Sequence, residues 1–358
     1  MKTVVQYQRP PIKVALMGLG RSMLADHYSV FKAHPALFKV AFACDLSKDR
    51  RDLVAKDFPD CKFFRQFSDM LDEPDIDLVD IATPTVDHVK HALMSLKHGF
   101  WTLLETPMAI TYDDAVVLKG AAVKAKNRLI VFNRGMFDPD YLLAKQMLED
   151  KRLGPIYEIS MRQEDYVRRD DWQCVKRLGG GAAYYAMHDM IIQILRMLPS
   201  PPTQMWSELK RIASLGDAED FVHVNLKTRD PISANLEFSG GVLPGERSPS
   251  FTLRGELGVF KVERGSPVGK LTVIDPSHKF PRRRSSVRTP PIKDLHEEFP
   301  ILSCEVKLQG NTPYGPSVFW KHVYDSVRVA APFPIALEES IEAIKFVQLM
   351  KKNSPFGR

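Results

Sequence analysis

Lys13-Val14-Ala15-Leu16-Met17-Gly18-Leu19-Gly20-Arg21-Ser22 is the stretch on which the reading of this chain turns. An apolar run short enough for a buried strand ends in a Gly-x-Gly turn and passes into helix-forming sequence near Ser22. The first glycine permits the tight turn. The second lets backbone approach a pyrophosphate at the helix N-terminus, where unpaired N–H groups and the helix dipole favour negative charge. Met23 stands where the fingerprint has a third glycine, which predicts looser packing of helix on strand. A second strand, Phe38 to Cys44, ends at Asp45, about where an acid binds an adenosine ribose. That carboxylate would repel a 2′-phosphate, so NAD is favoured over NADP, with Arg21, Lys48 and Arg50 near enough in sequence to pull the other way.

Working outward, Leu78 to Ala82, Trp101 to Leu104 and Leu129 to Phe132 continue a series of short apolar runs separated by helical patterns. Such alternation implies parallel βαβ units in a doubly wound sheet over residues 1–132. The pattern then changes. Residues 156–164, 205–212, 221–228 and 232–238 alternate apolar and polar positions, and 251–254 with 259–263 flank a turn at Gly255 to Gly258. Val222, Val224 and Leu226 are expected to face a core, with His223, Asn225 and Lys227 on the other side. This predicts an α+β domain over 133–358 with a large, mostly antiparallel open sheet, covered on one face by helices. One long helix is expected at 182–198 and a last one at 337–350.

At 358 residues, with 44% hydrophobic and 26% charged residues, the chain has room for two globular cores. The net charge of +6 owes much to Lys279–Arg288, a Pro- and Ser-bearing run that reads as a solvated loop, or as a hold for an anionic substrate or a neighbouring subunit. It lacks the aromatic interleaving and motifs of nucleic-acid binding. Four cysteines without CxxC spacing give neither a zinc ribbon nor a disulfide framework. His88 and His91, with His98 nearby, have no Cys or acidic third ligand at suitable spacing, so no metal is expected. No apolar run reaches membrane-span length, and residues 1–13 hold no apolar signal core; the expected compartment is the cytoplasm.

With these residues the chain resembles the Gfo/Idh/MocA family of NAD(P)-dependent sugar and inositol oxidoreductases. The likeness runs through Gly18, Gly20 and Asp45, Ile81-Ala82-Thr83-Pro84 with His88 downstream, and Glu105-x-Pro107. It continues through Asn133-Arg134-x-x-Phe137, Leu153-Gly154-Pro155-Ile156, Gly179-Gly180-Gly181 and Gly255-x-x-Gly258. The resemblance implies a Rossmann domain followed by an open-sheet domain, a sugar-like substrate, and homodimers or homotetramers that pack through the sheet. It implies that Thr83, Pro84, His88, Glu105 and Thr106 line the cofactor beside Arg21 and Ser22, with Asn133 and Arg134 near the nicotinamide.

The departures bear on chemistry. The family carries a lysine between Glu and Pro, and an Asp and a His on the helix after the glycines, which serve proton transfer. Here the lysine is Thr106, without a positive charge or a useful pKa. Aligning on the glycines puts Tyr185 at the Asp position and Asp189 at the His position; aligning on His188 puts Tyr184 at the Asp position. Two readings follow. Tyr184, Tyr185, His188 and Asp189 form a replacement acid–base set, with Tyr184 and His188 one turn apart on one helix face. Alternatively the tyrosines are core residues and the site is silent, as in a nucleotide- or sugar-binding sensor. Redox-assisted glycoside or epimer chemistry is a third use of such a site. Before the glycines, Arg168, Arg169 and Trp172 suit a sugar or carboxylate through charged hydrogen bonds and ring stacking.

Overall fold

The computed structural model describes residues 9–280, 298–352 and 354–357, so most of the basic run lies outside the described residues. A six-stranded sheet is built from β1 (Ile12–Met17), β2 (Phe38–Cys44), β3 (Lys62–Phe64), β4 (Leu78–Ile81), β5 (Trp101–Leu104) and β6 (Leu129–Val131). Its order is β3-β2-β1-β4-β5-β6, and every neighbouring pair is parallel. Strands buried on both faces need continuous apolar sequence, which β1 and β4 have except at Lys13 and Asp80. The order reverses between β1 and β4, so the turns at Gly18 and Thr83 flank the crevice where such sheets take ligands. The edge strand β3, three residues long, was not visible as a sequence pattern.

The second sheet comprises β7 (Ile156–Glu164), β8 (Gln204–Lys210), β9 (Phe221–Lys227), β10 (Ser233–Ser239), β11 (Phe251–Gly255), β12 (Gly258–Val262), β13 (Val268–Ile274) and β14 (Ile301–Lys307). The order is β14-β13-β12-β11-β7-β10-β9-β8, antiparallel throughout except for the parallel pair β7–β10. It is a mixed, mostly antiparallel sheet. Val222, Val224 and Leu226 are fully buried, and His223, Asn225 and Lys227 face the other way, as the alternation predicts. Helices Pro139–Met147, Met187–Met197 and Leu337–Lys352 cover the buried face.

Two features depart from expectation. The helix expected over 182–198 is broken at Ala186 into Ala182–Tyr185 and Met187–Met197. Its first turn is pinned elsewhere: Ala182 N–H donates to the Glu219 carbonyl and Ala183 N–H to the Glu219 carboxylate, itself paired with buried Lys351 at 2.9 Å. Tyr184 and His188 therefore do not share one helix face. The second departure is at Met23. It is fully buried, and Met23–His27 forms a π-helical turn before Tyr28–Ala33. The wider turn makes room for a side chain where the fingerprint has glycine, so the loosening expected there is absorbed locally.

Helix Pro316–Val329 returns to the first sheet, burying Phe319, Trp320 and Val323 against Ile12, Phe31 and Phe38. The last helix spans both cores: Ile341 and Ile344 pack under the first sheet, Ala343, Val347 and Met350 under the second. No helix among the described residues is long and apolar enough to cross a membrane.

Candidate functional site

The site begins at the carboxyl ends of β1 and β4. Gly18 has φ +87°, and a Cβ there would sit 2.8 Å from the Ala82 carbonyl, so only glycine lets these two strand ends approach. A Cβ on Gly20 would meet nothing within 4 Å. The start of the following helix is thus an open cradle lined by backbone, which fits a pyrophosphate. Asp45 closes the turn from the side: its carboxylate accepts from Leu19 N–H and Ser47 N–H, both at 2.7 Å, and Arg50 stands 3.7 Å away.

Across the crevice, Pro84 leads into helix Thr85–Lys97, and the Thr83 hydroxyl meets His91 Nδ1 at 3.1 Å. His88 is buried under this turn, its two ring nitrogens each 2.8 Å from a carbonyl, of Pro107 and of Thr83. It ties the loop after β4 to the loop after β5. Glu105 accepts from the Ser22 hydroxyl on one oxygen and from Thr106 N–H, at 2.7 Å, and the Thr106 hydroxyl, at 3.3 Å, on the other. Thr106 therefore turns to its own neighbour.

Asn133 follows β6 and is fully buried. Its amide donates to Asp189 Oδ1 at 3.0 Å and meets His188 Nδ1 at 3.3 Å, while its carbonyl accepts from Ser340 at 2.8 Å. His188 is buried against Asp189, whose side chain stays 28% exposed at the cleft. Arg134 pairs with Asp26 at 3.3 Å and Asp138 at 3.5 Å.

The two tyrosines lie apart from this cluster. The Tyr184 hydroxyl donates to the Ile110 carbonyl, and the Lys351 ammonium sits over its ring. Tyr185 packs edge-on against Phe238 with the Arg169 guanidinium over its other surface, 4.7 Å from the centroid. Burial pushes both phenols up to about 12, away from the range useful to a neutral-pH acid.

Of the substrate-side residues, Arg168 is exposed, Trp172 is half-buried and Arg169 reaches Asp171 at 3.2 Å. Arg169 also donates to Gln173 Oε1, which accepts from Arg21 at 3.1 Å, so the loop before the glycines touches the dinucleotide turn. Sequence reasoning missed Gln173, Ser340 and the buried pair His27–Asp80. An acid inside the otherwise apolar strand β4 was the one available signal, since a buried carboxylate requires a partner.

Comparison with known proteins agrees with this geometry. Residues 12–133 match the oxidoreductase family model with an NAD-binding Rossmann fold, and residues 141–261 match the GFO/IDH/MocA C-terminal domain. The chain belongs to the Gfo/Idh/MocA family of NAD(P)-binding oxidoreductases. It is 25% identical to scyllo-inositol 2-dehydrogenase (NADP(+)) IolW of Bacillus subtilis, over 96% of this chain and 94% of that one. An uncharacterized oxidoreductase of Schizosaccharomyces pombe is 29% identical, but the match spans about half of each chain, 53%. Among solved structures, an NAD-binding protein from Listeria innocua (TM-score 0.79, 20% identity) covers 97% of this chain and 96% of its own. The WlbA dehydrogenase from Chromobacterium violaceum, in complex with NADH and UDP-GlcNAcA (TM-score 0.74, 18% identity), covers 100% of this chain and 98% of its own. At these identities the two structures speak for the fold.

Proposed function

We propose that the protein is an NAD(H)-dependent oxidoreductase acting on a sugar, polyol or sugar derivative, with Asp189 as its acid–base group. The observation that carries this reading is the partly exposed Asp189 carboxylate, oriented by the Asn133 amide and the His188 ring. The cofactor would be held by Gly18, Gly20, Arg21, Ser22 and Asp45 on one side and by Thr83, Pro84, Glu105 and Thr106 on the other, with Asn133 and Arg134 near its reactive end. When bound, the nicotinamide supplies the hydride donor or acceptor. Asp189 takes up or returns the substrate's hydroxyl proton as the carbon–hydrogen bond breaks or forms. His188 holds that carboxylate in place. His88 holds the two loops beneath the cofactor together. Tyr184 and Tyr185, whose hydroxyl and ring surfaces are engaged elsewhere, act in packing.

The substrate class is supported by relatives named for scyllo-inositol and inositol. Arg169 and Trp172 suit its hydroxyl or carboxylate groups. Preference for NAD rests on the Asp45 carboxylate at the ribose end of the turn, opposed by Arg50 close by. We divide the chain at residue 132 into a dinucleotide-binding unit and a substrate and oligomerisation unit. The open face of the second sheet exposes Trp206 and Ile301, a surface suited to pairing as a dimer or tetramer.

The test is a titration of NADH and NADPH by nicotinamide fluorescence on wild type and Asp45→Ala, followed by a sugar and polyol panel. NADH binding tighter than NADPH, with that preference lost in Asp45→Ala, supports the cofactor assignment. NADPH binding tighter in wild type overturns it. A second reading has one observation in its favour: Thr106 brings no ammonium, and Glu105 engages its hydroxyl. On that reading the protein binds nucleotide and sugar without turnover. Wild type that binds NADH yet oxidises nothing, and gains activity only as Thr106→Lys, would establish it.

A further inference from the structure

Strand β4 carries Asp80 at zero exposure in the middle of Leu78–Ile81, and a carboxylate cannot rest there unpaired. Its partner is His27, equally buried, whose Nδ1 lies 2.9 Å and 3.1 Å from the two Asp80 oxygens. The π-helical turn Met23–His27 ends on this residue and delivers the ring into the core, stacked on Phe132 at 3.9 Å and edge-on to Trp320. The opposite ring nitrogen, Nε2, faces Glu105 Oε1 at 3.5 Å, an ion-pair distance. One imidazole thus sits between two carboxylates, one from a strand core and one from the cofactor crevice.

Burial alone would lower the basicity of this ring, but the charge and hydrogen bond of Asp80, then the nearby Glu105 carboxylate, carry it up to about 10. Glu105 is held below the usual carboxylate range: against the opposing effect of burial stand His27, Ser22 and the Thr106 amide. Both residues are therefore ionised at neutral pH.

We propose that His27 is a positioning residue of the cofactor site: as an imidazolium braced by Asp80, it anchors the Glu105 carboxylate, which in turn orients the hydroxyls of Ser22 and Thr106. Ser22 sits two residues after Gly20, so its orientation bears on the start of the dinucleotide helix. The single hydroxyl proton of Thr106 is engaged by Glu105, and what that side chain offers a ligand is a lone pair. The polarity at this position is the reverse of that of the ammonium which the family places there.

The inference rests on the cofactor reading above, and the experiment separates the two. NADH and NADPH are titrated by fluorescence against wild type, Glu105→Gln and the paired variant His27→Gln/Asp80→Asn, each with its thermal melt. The paired change removes His27 and its Asp80 partner together, so Asp80 is not left as an unpaired carboxylate in the strand, and Glu105 keeps only its Ser22 and Thr106 donors. Expected is a cooperative melt in both variants with at least tenfold weaker binding of the preferred cofactor. A folded variant of either kind that binds within twofold of wild type overturns the positioning role. Wild type that binds neither nucleotide at millimolar concentration overturns the cofactor reading itself. Should the paired variant fail to fold, wild type labelled with ¹⁵N-histidine decides at pH 8.5: a ring protonated on both nitrogens is expected, and a spectrum with none overturns the proposal.

Discussion

The Tyr184 hydroxyl donates to the Ile110 carbonyl at 3.3 Å, and the Lys351 ammonium lies 4.6 Å above the tyrosine ring. A phenol held at both its oxygen and its face is part of the wall between the two domains. Tyr184→Phe should keep cofactor binding and any turnover within about threefold, because a packing residue loses only one hydrogen bond, worth about 1 kcal/mol of stability. A loss of about 10²-fold or more in kcat with an unchanged melt would return Tyr184 to the chemistry.

Asp189→Asn tests the opposite assignment. The amide preserves size but carries no acid–base function, so kcat should fall about 10²- to 10⁴-fold while NADH affinity stays close to wild type. Steady-state rates on the best panel substrate, beside the fluorescence titration, check it. An unchanged kcat would mean that the proton leaves by another group.

Gly20 and Gly18 should separate binding from folding. Space is open around Gly20, so Gly20→Val is expected to melt within a few degrees of wild type yet bind NADH at least tenfold more weakly, its side chain filling the cradle. Gly18→Ala forces a Cβ to 2.8 Å from the Ala82 carbonyl at φ +87° and should cost about 1–3 kcal/mol of stability. Denaturant melts on both variants give the comparison.

His27 predicts how stability depends on pH. Its folded pKa is raised to about 10 from an ordinary value near 6.5. A group shifted upward contributes fully below its unfolded pKa, and that contribution is lost as pH rises through the folded value. Between pH 7 and 9 stability should fall by about 1.4 kcal/mol per pH unit from this one residue. Above pH 9 the buried thiols of Cys44, pushed up to about 11, and Cys61, up to about 12, add losses of the same sign. Urea midpoints at pH 7, 8 and 9 measure it, and a rising or flat series would contradict the ion pair.

Much of this molecule was legible in its sequence because the decisive signals are local. Strand burial on both faces forces the largely apolar runs of β1 and β4, and burial on one face forces the alternation at 221–227. Gly18 is dictated by the close approach of the Ala82 carbonyl, and Asp45 accepts from the turn that follows β1. The sequence by itself therefore determined the fold class and the Gly-x-Gly turn at the end of β1.

What it could not decide depends on groups far apart in the chain. Whether Tyr184 faces the cleft was set by Ile110 and Lys351, and the break at Ala186 by Glu219. His27 reads as an ordinary helix residue until a π-helical turn aims it between Asp80 and Glu105. Helical periodicity carries no trace of a turn one residue too wide, and a side chain's charge state follows from partners that only the packed core brings within 4 Å. Tertiary structure alone set these contacts, because electrostatics and hydrogen bonding act through space and not along the chain.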